Sequence, residues 1–283
     1  MRLGLIGVGL IGGSFAAALR KAGEVDEVIG FDVDEVAVQQ GVRAGIVDRR
    51  AASPAEVAQA VDLVVLAVPV GAMRQAFAGL ATVAPGALIT DVGSTKISVI
   101  EDARAGLGAA FRRFVPAHPI AGGERPGVEH ADAGLFQNRL AITTPVGDTD
   151  ADALVAVERL WRATGARLER LTPESHDRIF AAVSHLPHVL AFALVELIAR
   201  APDAELKLAH AGAGFLDFTR IAASSPGMWR DICLANREPL ASELGAYGES
   251  IAAIRAAVEA GDGEGLLRLF TAAATARRAV KAS

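Results

Sequence analysis

The sequence predicts an α/β protein in which a doubly wound parallel sheet is followed by an all-helical half. In the first half, short runs rich in Val, Ile and Leu alternate with helical patterns, as is typical of parallel strands covered on both faces. From Thr172 onward, few segments alternate with a period of two, and helical spacing predominates. We therefore expect one domain over residues 1–170 and a helical domain over residues 171–283.

Length, composition and charge agree with two ordinary globular domains. The chain has 283 residues, which at roughly 150 residues per domain corresponds to two domains. Hydrophobic residues make up 52% and charged residues 22%, a composition that does not indicate disorder. The net charge of −5 leaves neither half basic, so we expect no nucleic-acid and no membrane partner. The single Cys233 excludes an internal disulfide and is expected to be a buried core thiol in a cytoplasmic protein.

The expected strands of the first half lie at 2–6, 27–31, 62–68, 87–91, 113–117, 140–144 and 166–169. Residues 62–68 (DLVVLAV) form the most continuous apolar run among them. Helices are expected at 11–21, 34–43 and 151–164. In the second half, Thr172-Pro173 combines a capping hydroxyl with proline at the first helical position. A helix is expected from there to about 200, bent near Pro187, followed by helices at 238–260 and 263–281.

The first residues allow two interpretations. One positive charge, an apolar stretch and then small residues resemble a secretory signal peptide. The alternative is a buried strand that opens into a glycine turn and a helix. We favour the strand, because glycines recur at regular intervals and Asp32 follows at a characteristic distance.

Gly7-x-Gly9-x-x-Gly12 predicts a Rossmann-type dinucleotide site. The first glycine permits a tight turn, the second lets a pyrophosphate approach the backbone, and the third lets helix and strand pack closely. Leu10 and Ile11 begin the helix whose N-terminus would receive the phosphates.

Asp32 and the end of the 62–68 strand complete the expected cofactor site. Asp32 stands 20 residues after Gly12, where a carboxylate accepts hydrogen bonds from the adenosine ribose. It would repel a 2′-phosphate, and Val33-Asp34-Glu35 follow it rather than Arg, so NAD is favoured over NADP. Val68 and Pro69 are expected beneath the nicotinamide. FAD, or a glycine turn without a ligand, remain the alternatives.

Chemistry-bearing side chains are expected at strand ends, where open α/β sheets bind ligands. Neutral His118 can accept a proton from an alcohol as its hydride departs, although a structural histidine is an equal alternative. Ser94 lies in DVGSTK, where helix N-capping is the simpler interpretation. Ser184 and His188 are four residues apart and share a helix face. His185 and His188 have no carboxylate or cysteine cluster beside them, so no metal site is expected.

The segment 214–229 contains a further group of candidate residues. Arg220 lies among aromatic and aliphatic residues, so it either pairs with Asp217 or awaits an anionic ligand. Trp229 either lines a pocket for an apolar ligand or fills the core.

Taken together, these segments resemble the prephenate/arogenate (cyclohexadienyl) dehydrogenase family of tyrosine biosynthesis. The matching pieces are GVGLIGGS (7–14), DVGSTK (91–96), HPIAG (118–122), SHLPH (184–188) and DFTRIAASSPGMW (217–229). The resemblance implies NAD-dependent oxidative decarboxylation of prephenate or arogenate. It implies that His118 is the catalytic histidine, that Ser94 orients the substrate hydroxyl, and that Arg220 holds a carboxylate. Ser184 and His188 would contact the substrate, and Trp229 and Asp217 would support the pocket.

The resemblance also implies a homodimer and a possible role for tyrosine as feedback inhibitor. It leaves the preference between prephenate and arogenate open. Gly123 follows HPIAG where many relatives carry a polar residue, and Glu124 and Arg125 are opposing candidates for attracting the substrate side chain.

Two other functions remain open at this stage. A β-hydroxyacid dehydrogenase or imine reductase would use Lys96 or Lys207 as its acid/base group. A non-catalytic NAD-sensing protein would bind NAD without turnover.

Overall fold

A computed structural model describes residues 1–59, 61–80, 82–84, 86–123 and 125–280. Its first half contains a six-stranded, fully parallel sheet in the order β3-β2-β1-β4-β5-β6, which confirms the predicted fold class. The strands are β1 (Arg2–Ile6), β2 (Glu27–Phe31), β3 (Arg49–Arg50), β4 (Leu63–Leu66), β5 (Leu88–Asp91) and β6 (Phe114–Val115). The helices between them are α1 (Leu10–Lys21), α2 (Glu35–Arg43), α3 (Pro54–Gln59), α4 (Met73–Ala78) and α5 (Ile97–Leu107).

The strand order shows where the sheet is expected to bind a ligand. The chain leaves β1 toward β2 on one side and later enters β4 on the other, so the crevice between β1 and β4 is the topological switch point. Every residue of β4 and β5 is buried, as expected of strands covered on both faces. Two apolar clusters cover the strands: one surrounds Phe15 and Trp161, and the other surrounds Phe77 and Phe114.

A second, three-stranded sheet departs from the predicted parallel arrangement. It contains β7 (Ala117–Pro119), β8 (Leu140–Thr143) and β9 (Arg167–Arg170), and β7 pairs with β8 antiparallel. The strand predicted at 113–117 is divided between the two sheets at Pro116, which has no N–H for a ladder. The helix α6 (Ala151–Ala163) joins β8 to β9. Local apolar patterning could not reveal this change of sheet.

The second half is helical, as predicted. Its helices are α7 (Pro173–Phe180), α8 (Leu186–Ala199), α9 (Ala204–Ala209), α10 (Ala213–Thr219), α11 (Pro226–Ala235), α12 (Arg237–Ala260) and α13 (Gly263–Ala279). Thr172 caps α7 by accepting a hydrogen bond from the Ser175 N–H, with Pro173 in the first turn. A five-residue π-helix, Ala181–His185, joins α7 to α8, so the irregularity precedes Pro187. The predicted end at Lys281 lies outside the described residues.

The two halves pack against each other at close range. α11 lies on the 3-10 turn Val70–Ala72, where a Cβ on Gly71 would come within 2.3 Å of Asp231 Oδ2. Trp229 and Ile232 of α11 belong to the Phe77 cluster.

Cys233 is half-buried, so the expectation of a core thiol holds only in part: α11 turns Ile232 inward and leaves Leu234 65% exposed. Helix packing decides which side of such an apolar run is covered.

The helices α8 to α13 expose many apolar side chains. α13 has no buried residue, and α12 buries only Leu240 among its described residues. The helical stretch Pro173–Ala199 is long and apolar enough, by length and composition alone, to cross a membrane. It also carries His176 and Asp177, which are buried against the first half of the chain, so this stretch is part of the folded site.

Candidate active site

The glycine turn after β1 has the geometry of a dinucleotide cradle. Gly7 has φ +95°, and a Cβ there would lie 2.4 Å from the Ala67 carbonyl oxygen. A Cβ on Gly12 would lie 2.6 Å from the Gly7 oxygen, so α1 packs directly on the turn. A Cβ on Gly9 meets no atom within 4 Å, which leaves open space above the backbone where a pyrophosphate would lie.

Leu10 and Ile11 form the first turn of α1 beyond its N-cap, Gly9. The Gly13 N–H donates to the Gly9 oxygen, so the N–H groups before it are available to phosphate oxygens. Asp32 follows β2 and is half-buried. Its Oδ2 accepts from the Val8 N–H at 2.8 Å and its Oδ1 from the Asp34 N–H at 2.9 Å. These bonds hold the carboxylate beside the turn, as a ribose partner requires.

Val68 and Pro69 follow β4 on the other side of the switch point. Val68 is half-buried and packs against the Phe77 cluster, and Pro69 is exposed. The loop after β7 reaches the same region, because a Cβ on Gly123 would lie 3.0 Å from Leu10 Cδ2. The crevice is therefore bounded by both sheets. Glu124 lies outside the described residues, and Arg125 is exposed.

His118 lies in the middle of β7, where its register partner is Ile142. Its Nδ1 is 2.9 Å from His176 Nε2, and His176 Nδ1 is 2.8 Å from Asp177 Oδ1. Burial of the ring lowers the pKa of His118 well below 6.5, and repulsion from the positive charges that His176, Lys96 and His185 carry when protonated adds to this shift. His118 is thus neutral at pH 7 and can accept a proton.

A buried ion pair supports the backbone beneath His118. Lys96 Nζ lies 2.6 Å from Asp91 Oδ2 and donates to the Ala117 oxygen at 2.6 Å, and neither side chain of the pair is exposed. Asp91 Oδ1 accepts from the Ala117 N–H, so β5 and β7 are joined at this point. Burial lowers the pKa of Lys96, and the Asp91 carboxylate opposes that shift.

Ser94 is not the N-cap of α5. The N-cap is Lys96, whose side chain makes no capping bond, and Thr95 Oγ1 bonds Ser98 Oγ instead. The capping interpretation of Ser94 is therefore wrong. Ser94 is half-buried in the loop that follows β5. Its hydroxyl makes no hydrogen bond with the part of the chain that the structure describes.

The helical half contributes Ser184, His188 and Trp229. His188 Nδ1 donates to the Ser184 carbonyl oxygen at 2.8 Å, consistent with the shared face predicted from their spacing. The His188 ring stacks on Trp229 with centroids 3.7 Å apart and planes at 20°. Because Nδ1 is used, Nε2 is the ring nitrogen that remains for a ligand. Ser184 and His185 lie in the π-helix, a feature frequent at functional sites.

Arg220 begins the exposed 3-10 turn Arg220–Ala223 after α10. Burial lowers the pKa of His188; the Ser184 carbonyl opposes this, and the positive charge of Arg220 adds to it. The charge of Arg220 therefore acts on the His188 ring. Asp217 is exposed on α10. Arg220 has a polar interaction of its own.

A second buried histidine, His185, lies beneath Trp229. Asn236 Nδ2 donates to the Asp177 oxygen at 2.7 Å and lies 3.0 Å from His185 Nδ1. Burial lowers the pKa of His185 to about 4. Within the described residues, no group of three or more His, Cys, Asp or Glu side chains could hold a metal ion.

Sequence reasoning missed His176, Asp177, Asn236 and Asp91 as members of the site. The one available signal was a His-Asp pair in the first turn of a helix, four residues before Phe180. Their burial became evident only when the halves were packed together.

Comparisons with known proteins agree over nearly the whole chain. The family model described as "Prephenate dehydrogenase, nucleotide-binding domain" matches residues 15–170, and "Prephenate dehydrogenase, dimerization domain" matches 172–272. Prephenate dehydrogenase of Bacillus subtilis is 36% identical over 95% of this chain and 73% of its own length. Cyclohexadienyl dehydrogenase of Zymomonas mobilis is 33% identical over 99% of this chain and 96% of its own. The crystal structure of Aquifex aeolicus prephenate dehydrogenase with hydroxyphenyl propionate and NAD+ matches with a TM-score of 0.93 and 35% identity, covering 99% and 98% of the two chains.

Proposed function

Because this chain belongs to the prephenate dehydrogenase family, we propose that it catalyses the NAD-dependent oxidative decarboxylation of prephenate, arogenate or both in tyrosine biosynthesis. The sequence predictions of the family, the fold class and an NAD-dependent dehydrogenase are confirmed. The observation that carries the proposal is His118 on β7: the loop that follows this strand reaches the glycine turn at Leu10, and burial lowers the pKa of His118, so the ring is neutral at pH 7. When bound, NAD supplies the acceptor for a hydride from the ring carbon that bears the hydroxyl.

His118 is the group that receives the hydroxyl proton. As the hydride leaves the carbinol carbon, the O–H bond breaks and its proton moves to His118. The bond from the ring to its carboxylate then breaks, CO₂ departs, and its electron pair makes the ring aromatic. The resulting phenolate oxygen takes the proton back from His118. Aromatisation supplies much of the driving force, so the protein's main tasks are to orient the ring and to hold its charges.

The remaining assignments are those that the resemblance to the family implies. Ser94 hydrogen-bonds the reacting hydroxyl, and Arg220 pairs with a substrate carboxylate. Ser184 and His188 contact the substrate, while Trp229 holds the His188 ring in place through their stacking. Asp217 supports the pocket from α10. Gly7, Gly9, Leu10, Ile11, Gly12, Asp32, Val68 and Pro69 bind NAD.

We also propose that the chain divides at 170/171 and forms a homodimer through its second half. The described end of β9 at Arg170 and the start of α7 at Pro173 support the boundary. The apolar side chains that α8 to α13 leave exposed support the interface; they include Leu197, Leu216, Phe218, Leu244, Ile251 and Phe270. A second copy would cover this surface. Light scattering on the eluting protein should give twice the 29.2 kDa chain mass.

Location and inhibition are parts of the same proposal. In the proposed dimer the apolar face of Pro173–Ala199 contacts a partner chain rather than lipid, and a cytoplasmic protein without a membrane or nucleic-acid partner is expected.

Tyrosine shares the phenol ring and a carboxylate with the product, so it is expected to compete with substrate. Titrating tyrosine against substrate should raise the apparent KM without lowering kcat.

The rival dehydrogenase chemistry would use Lys96 or Lys207 as its acid/base group. Lys96 is completely buried and bonded to Asp91, and Lys207 pairs with Asp203 on the surface of α9. Both ammonium groups are thus already engaged with a carboxylate, which favours His118 as the acid/base group.

The decisive experiment measures NADH formation by the purified protein with prephenate and arogenate in parallel. Turnover of either substrate supports the proposal, and the ratio of the two kcat/KM values defines the preference. NAD binding without turnover of either would reject the proposal and favour the NAD-sensing alternative.

A further inference from the structure

Asp177 connects two parts of the site that are far apart in the sequence. Its Oδ1 accepts from the Lys96 N–H at 2.8 Å and its Oδ2 from the Ile97 N–H at 2.9 Å. These N–H groups belong to the N-cap and to the first residue of α5, so a residue from α7 caps a helix of the other half. The same Oδ1 is 2.8 Å from His176 Nδ1. Asp177 is only 1% exposed, and its bonds are therefore shielded from water.

The hydrogen bonds determine where each histidine carries its proton. Both Asp177 oxygens face backbone N–H groups, so the carboxylate acts as an acceptor and His176 Nδ1 must be the donor. Burial keeps His176 neutral by lowering its pKa, which leaves its Nε2 as an acceptor. His118 Nδ1, 2.9 Å from that atom, must then donate. His118 thus bears its proton on Nδ1 and presents a bare Nε2.

We propose that His176 and Asp177 are positioning residues that hold His118 in the tautomer with Nε2 ready to accept a proton. The proposal deepens the function proposed above and rests on it for the identity of the reaction. Asp177 also anchors the start of α5, two residues after Ser94, so one carboxylate sets the spacing between the two predicted catalytic groups.

The charge of Asp177 has a second consequence for the reaction. When His118 accepts a proton it becomes a cation, and the relay through His176 connects it to a buried negative carboxylate. The other buried carboxylate nearby, Asp91, is already neutralised by Lys96. Asp177 is therefore the group that stabilises the imidazolium, in the way that a carboxylate supports a catalytic histidine in other enzymes.

Two substitutions at His176 separate positioning from packing. His176→Gln retains an oxygen that can accept from His118 and an N–H that can donate to Asp177. His176→Phe retains the ring contact with Phe180, at 4.6 Å in the wild type, but has no polar atom. We expect Phe to lower kcat on the order of 10²–10³-fold with KM values changed less than about threefold, and Gln to retain kcat within about tenfold. Equal losses in both variants would overturn the proposal.

The tautomer can be observed directly, without a substrate. ¹⁵N spectra of the NAD-saturated protein at pH 8, with His118 assigned by His118→Asn, should show the proton on Nδ1. In His176→Phe that preference should weaken or reverse. A wild-type spectrum with the proton on Nε2 would contradict the relay, and this result needs no variant to fold. Because the spectrum is independent of turnover, a failure of the proposed reaction remains distinguishable from a failure of the relay.

Discussion

Lys96 and Asp91 form an ion pair that solvent does not reach, with Nζ 2.6 Å from Oδ2. The pair joins the loop carrying Ser94 to the strand carrying His118, because Lys96 also donates to the Ala117 oxygen. Charges removed from water are costly unless they are paired and hydrogen-bonded. We therefore expect this pair to stabilise the fold around the site.

Removing the buried ammonium should destabilise the protein. We expect Lys96→Met to lower the free energy of unfolding by about 3–5 kcal/mol, because Asp91 is left buried without its cation. Lys207→Met is the matched control: its pair with Asp203 is about half exposed, and the expected loss is below about 1 kcal/mol. Urea denaturation of both variants measures the difference. Similar losses at the two positions would contradict the structural importance of the buried pair.

Replacing the proposed proton acceptor should affect turnover rather than binding. We expect His118→Asn to lower kcat by about 10²–10⁴-fold with little change in KM, because the amide cannot take the hydroxyl proton. His130→Asn, at an exposed histidine outside the crevice, serves as the control. Steady-state kinetics with saturating NAD give both constants. Retention of most activity in the His118 variant would reject the assigned role.

The guanidinium of Arg220 should contribute mainly to substrate binding. We expect Arg220→Ala to raise KM and to lower kcat/KM by about 2 kcal/mol, roughly 30-fold, with kcat less affected. The expected loss of about 2 kcal/mol is small for a hydrogen bond between charged groups, because Arg220 is exposed before substrate binds. Arg200→Ala removes another exposed arginine, which pairs with Glu196 on α8, and should change neither constant. A fall in kcat alone would mean that Arg220 acts on the transition state.

Cofactor selectivity should depend on the Asp32 carboxylate. Asp32→Ala removes the ribose acceptor and the repulsion of a 2′-phosphate, so the NAD/NADP ratio of kcat/KM should fall by about 10–100-fold. Asp34→Ala provides the control, since Asp34 caps α2 and lies two residues away. That variant should lose stability without changing selectivity. An unchanged ratio in the Asp32 variant would place the ribose elsewhere.

Acid should destabilise the protein in part through His185. Its folded-state pKa of about 4 lies below the ordinary 6.5, so the unfolded chain binds the proton more readily. The stabilisation is complete above pH 6.5 and is lost as pH falls toward 4. Between pH 7 and 5 we expect the wild type to lose about 2 kcal/mol more than His185→Gln, which cannot titrate but can accept from Asn236.

The matched control for this pH effect is His210→Gln, at an exposed histidine of the helical half whose Nδ1 bonds the Leu206 oxygen. This variant measures what the same His-to-Gln change does at an exposed position. Unfolding free energies from urea titrations at the two pH values provide the comparison. If His185→Gln also loses as much as the wild type, His185 does not titrate as described.

The sequence by itself determined the parts whose physics is local. Glycine spacing, the strand before it and the acid after β2 identify a dinucleotide turn, because each depends on a few adjacent residues. Apolar runs and the Thr172-Pro173 start located most strands and α7. The rule that ligands bind at strand ends placed Ser94 correctly in the loop after β5, whereas His118, also expected at a strand end, lies in the middle of β7.

Tertiary structure alone decided how those parts cooperate. The pairing of β7 with β8, the bond from Lys96 to the Ala117 oxygen and the capping of α5 by Asp177 all depend on contacts between segments that are distant in the sequence. Asp177 illustrates the reason: its partners Lys96 and Ile97 lie about 80 positions earlier in the chain. A pattern of neighbouring residues carries no information on such bonds, which form only when the helical half packs against the sheet.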